Sequence, residues 1–174
     1  MSENTQDTKK VTSKPKGIVY KPEENKLVVK GILTNFRHTT TKYSGDKEYY
    51  QVSIRTEHLT PEIVADIEKT YFSDTKEKYL PSFIKDVKEK GVKEPVYINL
   101  KSQYEVGTFT PQDGNKRYSY DEVIEMGDGL PPYGSEVTLS IRLKGKEEGE
   151  DGSVYPLAIR IDKLVKQDAS DYFD

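Results

Sequence analysis

Two stretches near the C-terminal end alternate strictly between apolar and polar residues. In residues 137–144 (VTLSIRLK) every odd position is apolar. In residues 155–162 (YPLAIRID) the odd positions are Tyr155, Leu157, Ile159 and Ile161. A period of two predicts β-strands, because successive side chains point to opposite faces of a sheet. The polar, glycine-rich connection between them predicts a turn. We therefore expect a hairpin with one aliphatic face, while the opposite face carries Arg142, Lys144 and Arg160.

The same period predicts three more strands earlier in the chain, at residues 26–37, 48–55 and 95–101. Gly31 lies inside the first of them and predicts a bend or a bulge. Between the second and third strands, Thr60 followed by Pro61 is typical of a helix start, and residues 82–90 predict a second short helix. The sequence thus predicts a mainly β domain: five strands in a small barrel, with an inserted helical segment and long loops.

Three regions follow from composition. Residues 1–20 form a polar, mildly basic N-terminal arm, residues 21–166 form the folded domain, and residues 167–174 form an acidic tail. The region 102–133 is expected to be a long irregular loop, with one strand hidden around residues 103–109. The formal net charge is -3, and removing the three tail aspartates gives -3 + 3 = 0 for the rest. A neutral body still allows a basic stripe, because charge distribution determines the electrostatic surface.

Several function classes find no support in the sequence. No apolar run approaches the roughly 20 residues of a membrane helix, and the N-terminus lacks the features of a secretion signal. The absence of cysteine excludes disulfides and thiolate chemistry, so the cytosol is the expected compartment. His38 and His58, the only histidines, have no ligand spacing, and no phosphate-binding loop or nucleophile elbow is present. We expect neither catalysis nor a cofactor nor a metal ion.

The predicted outward strand positions share one chemistry, a mixture of cations and tyrosines. Cations neutralise phosphates and aromatic faces stack on unpaired bases, which is what single-stranded nucleic acid requires. An ordinary solvated strand face also carries charged residues, so the argument depends on the pattern recurring on several strands. The predicted strand residues are Tyr49, Arg55, Tyr97, Lys101, Arg142, Lys144 and Arg160. Loop residues expected to close over the bound strand are Tyr43, Lys116, Arg117 and Tyr118.

The tail forms a second predicted site. Its acids are Asp168, Asp171 and Asp174, and Tyr172 and Phe173 lie at its end. Exposed aromatics at the end of a polar segment predict docking onto a partner protein. An acidic segment is also expected to compete with nucleic acid for a basic groove.

Three stretches resemble phage-encoded single-stranded DNA-binding proteins: residues 96–101 (VYINLK), residues 131–139 (PPYGSEVTL) and the tail from Asp168 to Asp174. The resemblance implies one OB-fold domain per chain with an acidic, aromatic C-terminal tail. It also implies a non-catalytic protein that coats single-stranded DNA in replication or recombination, acts in the host cytoplasm and contacts replication proteins through its tail. A homodimer is left open.

Two alternatives remain at this point. A structural or protein-interaction β-domain of a viral or multiprotein assembly would use the tyrosine-rich loops as protein contacts. An enzyme acting through carboxylates and a divalent metal ion is the least supported.

Overall fold

The computed structural model describes residues 17–41, 47–90, 95–145 and 152–165 of the chain. Its seven strands are β1 (Ile18–Lys21), β2 (Lys26–Thr41), β3 (Lys47–Thr56), β4 (Val96–Ser102), β5 (Gly107–Phe109), β6 (Glu136–Lys144) and β7 (Ser153–Lys163). Its three α-helices are α1 (Pro61–Tyr71), α2 (Ser82–Lys90) and α3 (Tyr120–Met126). None of the helices in these ranges is long and apolar enough to cross a membrane.

All seven strands belong to one sheet, in the order β4-β3-β2-β6-β7-β5, with β1 paired to β2. The predicted mainly β class is confirmed, but the predicted count of five strands is wrong. Beyond those five, the sheet contains β1 and β5, which have four and three residues. β5 lies where a hidden strand was expected, whereas β1 is too short to show an alternating pattern. The described strands form an open sheet, since their hydrogen-bonded order ends at β4 and β5, so the predicted closed barrel is wrong.

The core lies between the inner face of this sheet and the helices. β6 contributes Val137, Leu139, Ile141 and Leu143, all buried, as its alternation predicts. Helix α1 begins as predicted: the Thr60 hydroxyl accepts a hydrogen bond from the backbone N–H of Ile63, and Pro61 lies in the first turn. Helix α2 packs against β4. Helix α2 therefore lies on the inner side of β4, whose outward residues Tyr97, Asn99 and Lys101 are exposed.

A bulge changes the orientation of two residues in β7. Ala158 pairs with Ser140 and Pro156 with Ile141, so Leu157 is an extra residue on its strand. Pro156 is consequently buried, and Leu157 is 42% exposed. The prediction that Tyr155 and Leu157 lie on the aliphatic face is therefore wrong. Strict alternation in the sequence does not reveal an inserted residue, since a bulge shifts the faces without breaking the pattern of residue types.

Gly31 has a different role from the one predicted. The register of β2 against β6 is regular at Gly31, and the irregularity of β2 against β3 falls between Leu33 and Asn35. A Cβ atom at position 31 would lie 2.6 Å from the carbonyl oxygen of Arg55. Glycine is therefore required because two strands approach closely, and the prediction of a bulge at this residue is wrong.

The region 102–133 is more ordered than a long loop. It contains β5, which confirms the strand expected around residues 103–109 and which pairs parallel with β7. It also contains α3, where Ser119 and Glu122 form a capping box. At the N-terminus, β1 already begins at Ile18, so residues 18–20 belong to the sheet rather than to the predicted arm. Residues 1–16 and 166–174 lie outside the described residues.

The capping box makes Ser119 a test of local stability. The Ser119 hydroxyl accepts a hydrogen bond from the N–H of Glu122, and the Glu122 carboxylate accepts one from the N–H of Ser119. We expect Ser119→Ala to lower the free energy of unfolding by about 1 kcal/mol, measured by urea denaturation. Glu125→Ala, at an exposed position of the same helix, is the control and should cost much less.

Candidate nucleic-acid interface

The outer surface of β3 and β4 carries a mixed aromatic and cationic surface. We define the β3–β4 face by its residues Tyr49, Gln51, Arg55, Tyr97, Asn99 and Lys101. The antiparallel register places Gln51 opposite Lys101 and Arg55 opposite Tyr97. The sequence prediction that these positions share the outward face is consistent with this register. Ser53 lies in the same row but is only 2% exposed, so it contributes little contact area.

Each end of this face combines a cation with an aromatic ring. At one end, the Lys101 ammonium lies 5.0 Å from the centroid of the Tyr49 ring, a cation–π distance. At the other end, Arg55 is exposed directly across from Tyr97, whose side chain is 43% exposed. The two pairs are four residues apart along β4, or about 13 Å, and six residues apart along β3, or about 20 Å. A flexible strand crossing this surface would therefore meet two sites that offer both charge and a flat ring.

A cleft lies where β4 approaches the start of β7. Its volume is about 360 Å³, and we call it the β4–β7 cleft, lined on its polar side by Gln51, Tyr79, Asn99, Lys101 and Ser153. The Tyr79 side chain is 64% exposed, and the Lys78 ammonium lies 5.0 Å from its ring centroid. The cleft thus extends the β3–β4 face with another cation–aromatic pair, contributed by the segment between α1 and α2.

The predicted cations of the closing hairpin divide into two groups. Lys144 pairs in register with Ser153, a residue of the β4–β7 cleft, and Arg142 pairs with Tyr155. Arg160 lies further along β7, where its guanidinium contacts the Asp162 carboxylate and the Thr138 hydroxyl. Its charge is partly neutralised there, so the structure joins Lys144 and Arg142 to the cleft region but not Arg160.

The predicted loop residues lie beside β5. The Lys116 ammonium is 4.7 Å from the Tyr118 ring centroid, and Arg117 donates a hydrogen bond to the carbonyl oxygen of Glu105. The neighbouring Tyr104 is 80% exposed and follows β4 by two residues. Arg117 therefore lies near an exposed tyrosine at the Tyr49 end of β3 and β4. Tyr43 and the tail residues Asp168, Asp171, Tyr172, Phe173 and Asp174 lie outside the described residues.

Tyr79 and Tyr104 are the aromatic residues that sequence reasoning missed as site residues. Both lie outside regular strands, so no alternation marks them as outward. The usable signal is a tyrosine beside charged or polar residues in a segment with no apolar periodicity, as in Lys78-Tyr79 and Gln103-Tyr104.

An aromatic cluster supports the inner side of the β2–β3 ribbon. His38 lies in β2, one residue beyond the strand predicted at residues 26–37. Its ring stacks on Tyr50 at 4.3 Å between centroids, and Phe36 stacks on Tyr120 at 4.7 Å. Burial raises the pKa of both Tyr50 and Tyr120 above that of a free tyrosine. These hydroxyls therefore stay neutral at physiological pH, and they add no negative charge behind the β3–β4 face.

The described residues offer no metal site. Within the described ranges, no group of three His, Asp or Glu side chains is arranged to hold a metal ion.

Comparisons with known proteins bear on the fold. No family model matches the sequence, and no curated protein matches it either. Among solved structures, the single-stranded DNA-binding protein of bacteriophage Enc34 in complex with ssDNA matches with a TM-score of 0.54 and 16% identity, over 85% of this chain and 91% of that one. A C-terminal truncation of that protein matches with a TM-score of 0.52 and 16% identity, over 88% of this chain and 92% of that one. A further structure of the Enc34 protein matches with a TM-score of 0.50 and 17% identity, over 91% of this chain and 95% of that one.

These matches span nearly the whole of both chains, so the likeness concerns the complete architecture rather than one motif. The resemblance to phage-encoded single-stranded DNA-binding proteins is thus confirmed at the level of the fold: this chain has the fold of the Enc34 protein.

Proposed function

We propose that the chain binds single-stranded DNA without sequence specificity, along the β3–β4 face and through the β4–β7 cleft. The observation that carries the proposal is the β3–β4 face itself, which presents two cations, an exposed tyrosine and a half-buried one on a fold shared with a single-stranded DNA-binding protein. Lys101 and Arg55 would neutralise phosphates. Tyr49, Tyr97 and Tyr79 would stack on bases, because every base offers a flat face.

The composition of the face explains the proposed lack of sequence specificity. Stacking and phosphate contacts do not distinguish one base from another, whereas base-edge hydrogen bonds do. Gln51 and Asn99 are the uncharged hydrogen-bonding side chains of the face that reach the cleft. These two amides can hydrogen-bond to the DNA, but two such contacts do not read a base sequence.

In the cell, such a protein would coat and protect single-stranded intermediates of phage-type replication or recombination, with no catalysis and no cofactor. The acidic tail would compete with DNA for the basic face, and its aromatics would dock on replication or recombination proteins. Both tail functions follow from the sequence and remain proposals.

Fluorescence anisotropy tests the proposed function directly. A labelled oligo-dT and a duplex of equal length are titrated with the protein at two salt concentrations. We expect tight binding of the single strand alone, with affinity falling by roughly 0.7 log units per log unit of salt for each phosphate contact. Equal binding of the duplex, or no binding at either salt concentration, would contradict the proposal and favour a protein-interaction domain.

Tyr97 provides a separate test of stacking. Its ring is exposed, and removing it leaves the neighbouring cation Arg55 in place. We expect Tyr97→Ala to weaken oligo-dT binding by about 1–3 kcal/mol with an unchanged salt slope. Leu130→Ala, which removes another exposed side chain, is the control and should bind like the unmodified protein. A changed slope for Tyr97→Ala would mean that the ring orders the cations instead of stacking.

A further inference from the structure

A second row of cations continues from the β4–β7 cleft onto the outer face of β2, β6 and β7. The register aligns Lys26 of β2 with Arg142 of β6, and Arg142 with Tyr155 of β7. The three side chains therefore lie side by side across three neighbouring strands, spaced by about 4.8 Å. We call them the Arg142 row.

The β7 bulge creates this row. Because Leu157 is inserted between the pairs Ala158–Ser140 and Pro156–Ile141, Tyr155 moves from the aliphatic face to the outer one. The Tyr155 ring is half-buried and is not among the residues packed against the core. An aromatic ring that strict alternation would bury is thus placed beside an exposed arginine.

The row is continuous with the proposed DNA site. Lys144 and Ser153 form the register pair two residues away from Arg142 and Tyr155, a step of about 7 Å along the strands. Ser153 lines the β4–β7 cleft together with Asn99 and Lys101. Ser153 therefore belongs both to the cleft and to the register pair next to the Arg142 row.

The charges on the outer face favour phosphate binding at its Lys26 end over its Lys30 end. Among the described residues, neither Lys26 nor Arg142 forms a salt bridge with an acidic side chain. Four residues further along β2, Lys30 shares a surface depression with Arg55 and with three acids, Glu57, Glu136 and Asp162. Arg160 also contacts Asp162. The Lys30 end is thus balanced by acids, so phosphate would be attracted to the Lys26 end.

We infer that Lys26, Arg142 and Tyr155 form a second single-stranded DNA subsite, which receives the strand as it leaves the β4–β7 cleft. This inference rests on the proposed function. The two cations contact phosphates, and the tyrosine ring stacks on a base. The subsite is engaged only by strands long enough to extend beyond the cleft.

The test compares a short and a long oligo-dT, of about 5 and about 16 nucleotides, within the range of site sizes of single OB folds. The variant is Lys26→Gln with Arg142→Gln. The control is Lys30→Gln with Lys163→Gln, which removes the same charge from β2 and β7 at the acid-balanced end. Circular dichroism and melting temperature confirm that both variants are folded.

We expect the variant to bind the short strand like the unmodified protein and the long strand about tenfold more weakly. Its salt slope on the long strand should fall by about 1.4, for two lost phosphate contacts, while the control stays unchanged. Tyr155→Leu should weaken only the long strand and leave the slope as it is.

Normal binding of the long strand by the variant would overturn the subsite, and so would an equal loss on both strands. If the unmodified protein binds neither strand, the proposed function itself fails. That outcome is distinct, because it appears before any variant is compared.

Discussion

Replacing Gly31 by alanine is expected to destabilise the whole domain. The new Cβ atom would lie 2.6 Å from the Arg55 carbonyl oxygen and 3.1 Å from the Ile54 Cδ1 atom. The first of these is backbone of the neighbouring strand, so β2 and β3 must separate to relieve the contact. We expect a loss of about 2 kcal/mol or more and a melting temperature lower by roughly 5 °C or more, measured by urea and thermal unfolding.

Gly145→Ala is the matched control for this change. A Cβ atom at position 145 would lie 3.9 Å from the Tyr71 Cδ1 atom, an ordinary van der Waals contact. Alanine also lowers the entropy of the unfolded chain, so this variant should be as stable as the unmodified protein or slightly more stable. If Gly31→Ala and Gly145→Ala have the same free energy of unfolding, the inference that β2 and β3 approach too closely at Gly31 for a side chain is wrong.

Reversing the charge of Lys101 is expected to have the largest effect of any single substitution on DNA binding. Lys101 lies at the junction of the β3–β4 face and the β4–β7 cleft, beside the Tyr49 ring. A glutamate there would remove one phosphate contact, add repulsion and eliminate the cation–π interaction. We expect Lys101→Glu to weaken oligo-dT binding by about tenfold or more at low salt and to reduce the salt slope by about 0.7 or more.

The control for Lys101→Glu must change the net charge equally. Lys69→Glu meets that condition, because Lys69 is exposed on α1 and lies outside the face and the cleft. A general effect of net charge would weaken both variants equally and would contradict a localised site. Binding that stays at the unmodified level in Lys101→Glu would remove this end of the face from the proposal.

Much of the fold can be predicted because local signals and burial agree. The alternation in β6 matches its buried residues throughout, and the Thr60–Pro61 start of α1 has its capping hydrogen bond. Where the prediction is wrong, a tertiary effect decides. The bulged pairing of β7 with β6 turns Leu157 outward. At position 31, the carbonyl oxygen of Arg55 leaves no room for a Cβ atom. Neither partner can be identified from a local pattern.

The candidate site divides in the same way. The outward positions of β3 and β4 follow directly from alternation, so Tyr49, Arg55, Tyr97 and Lys101 were predictable. Arg160 was predicted on the same grounds, but its partner Asp162 lies two residues later on the same face. The spacing of two residues within one strand already indicates in the sequence that Asp162 can pair with Arg160. Tyr79 enters the cleft only through the packing of the segment between α1 and α2.

The most direct test of the central claim locates the bound strand on the protein. Oligo-dT is photo-crosslinked to the full-length chain, and the modified tyrosines are identified by mass spectrometry. The account predicts adducts at Tyr97 and Tyr79, suppressed by excess unlabelled single strand and reduced in Lys101→Glu. Adducts that avoid both residues and resist competition would contradict single-stranded DNA binding on the β3–β4 face.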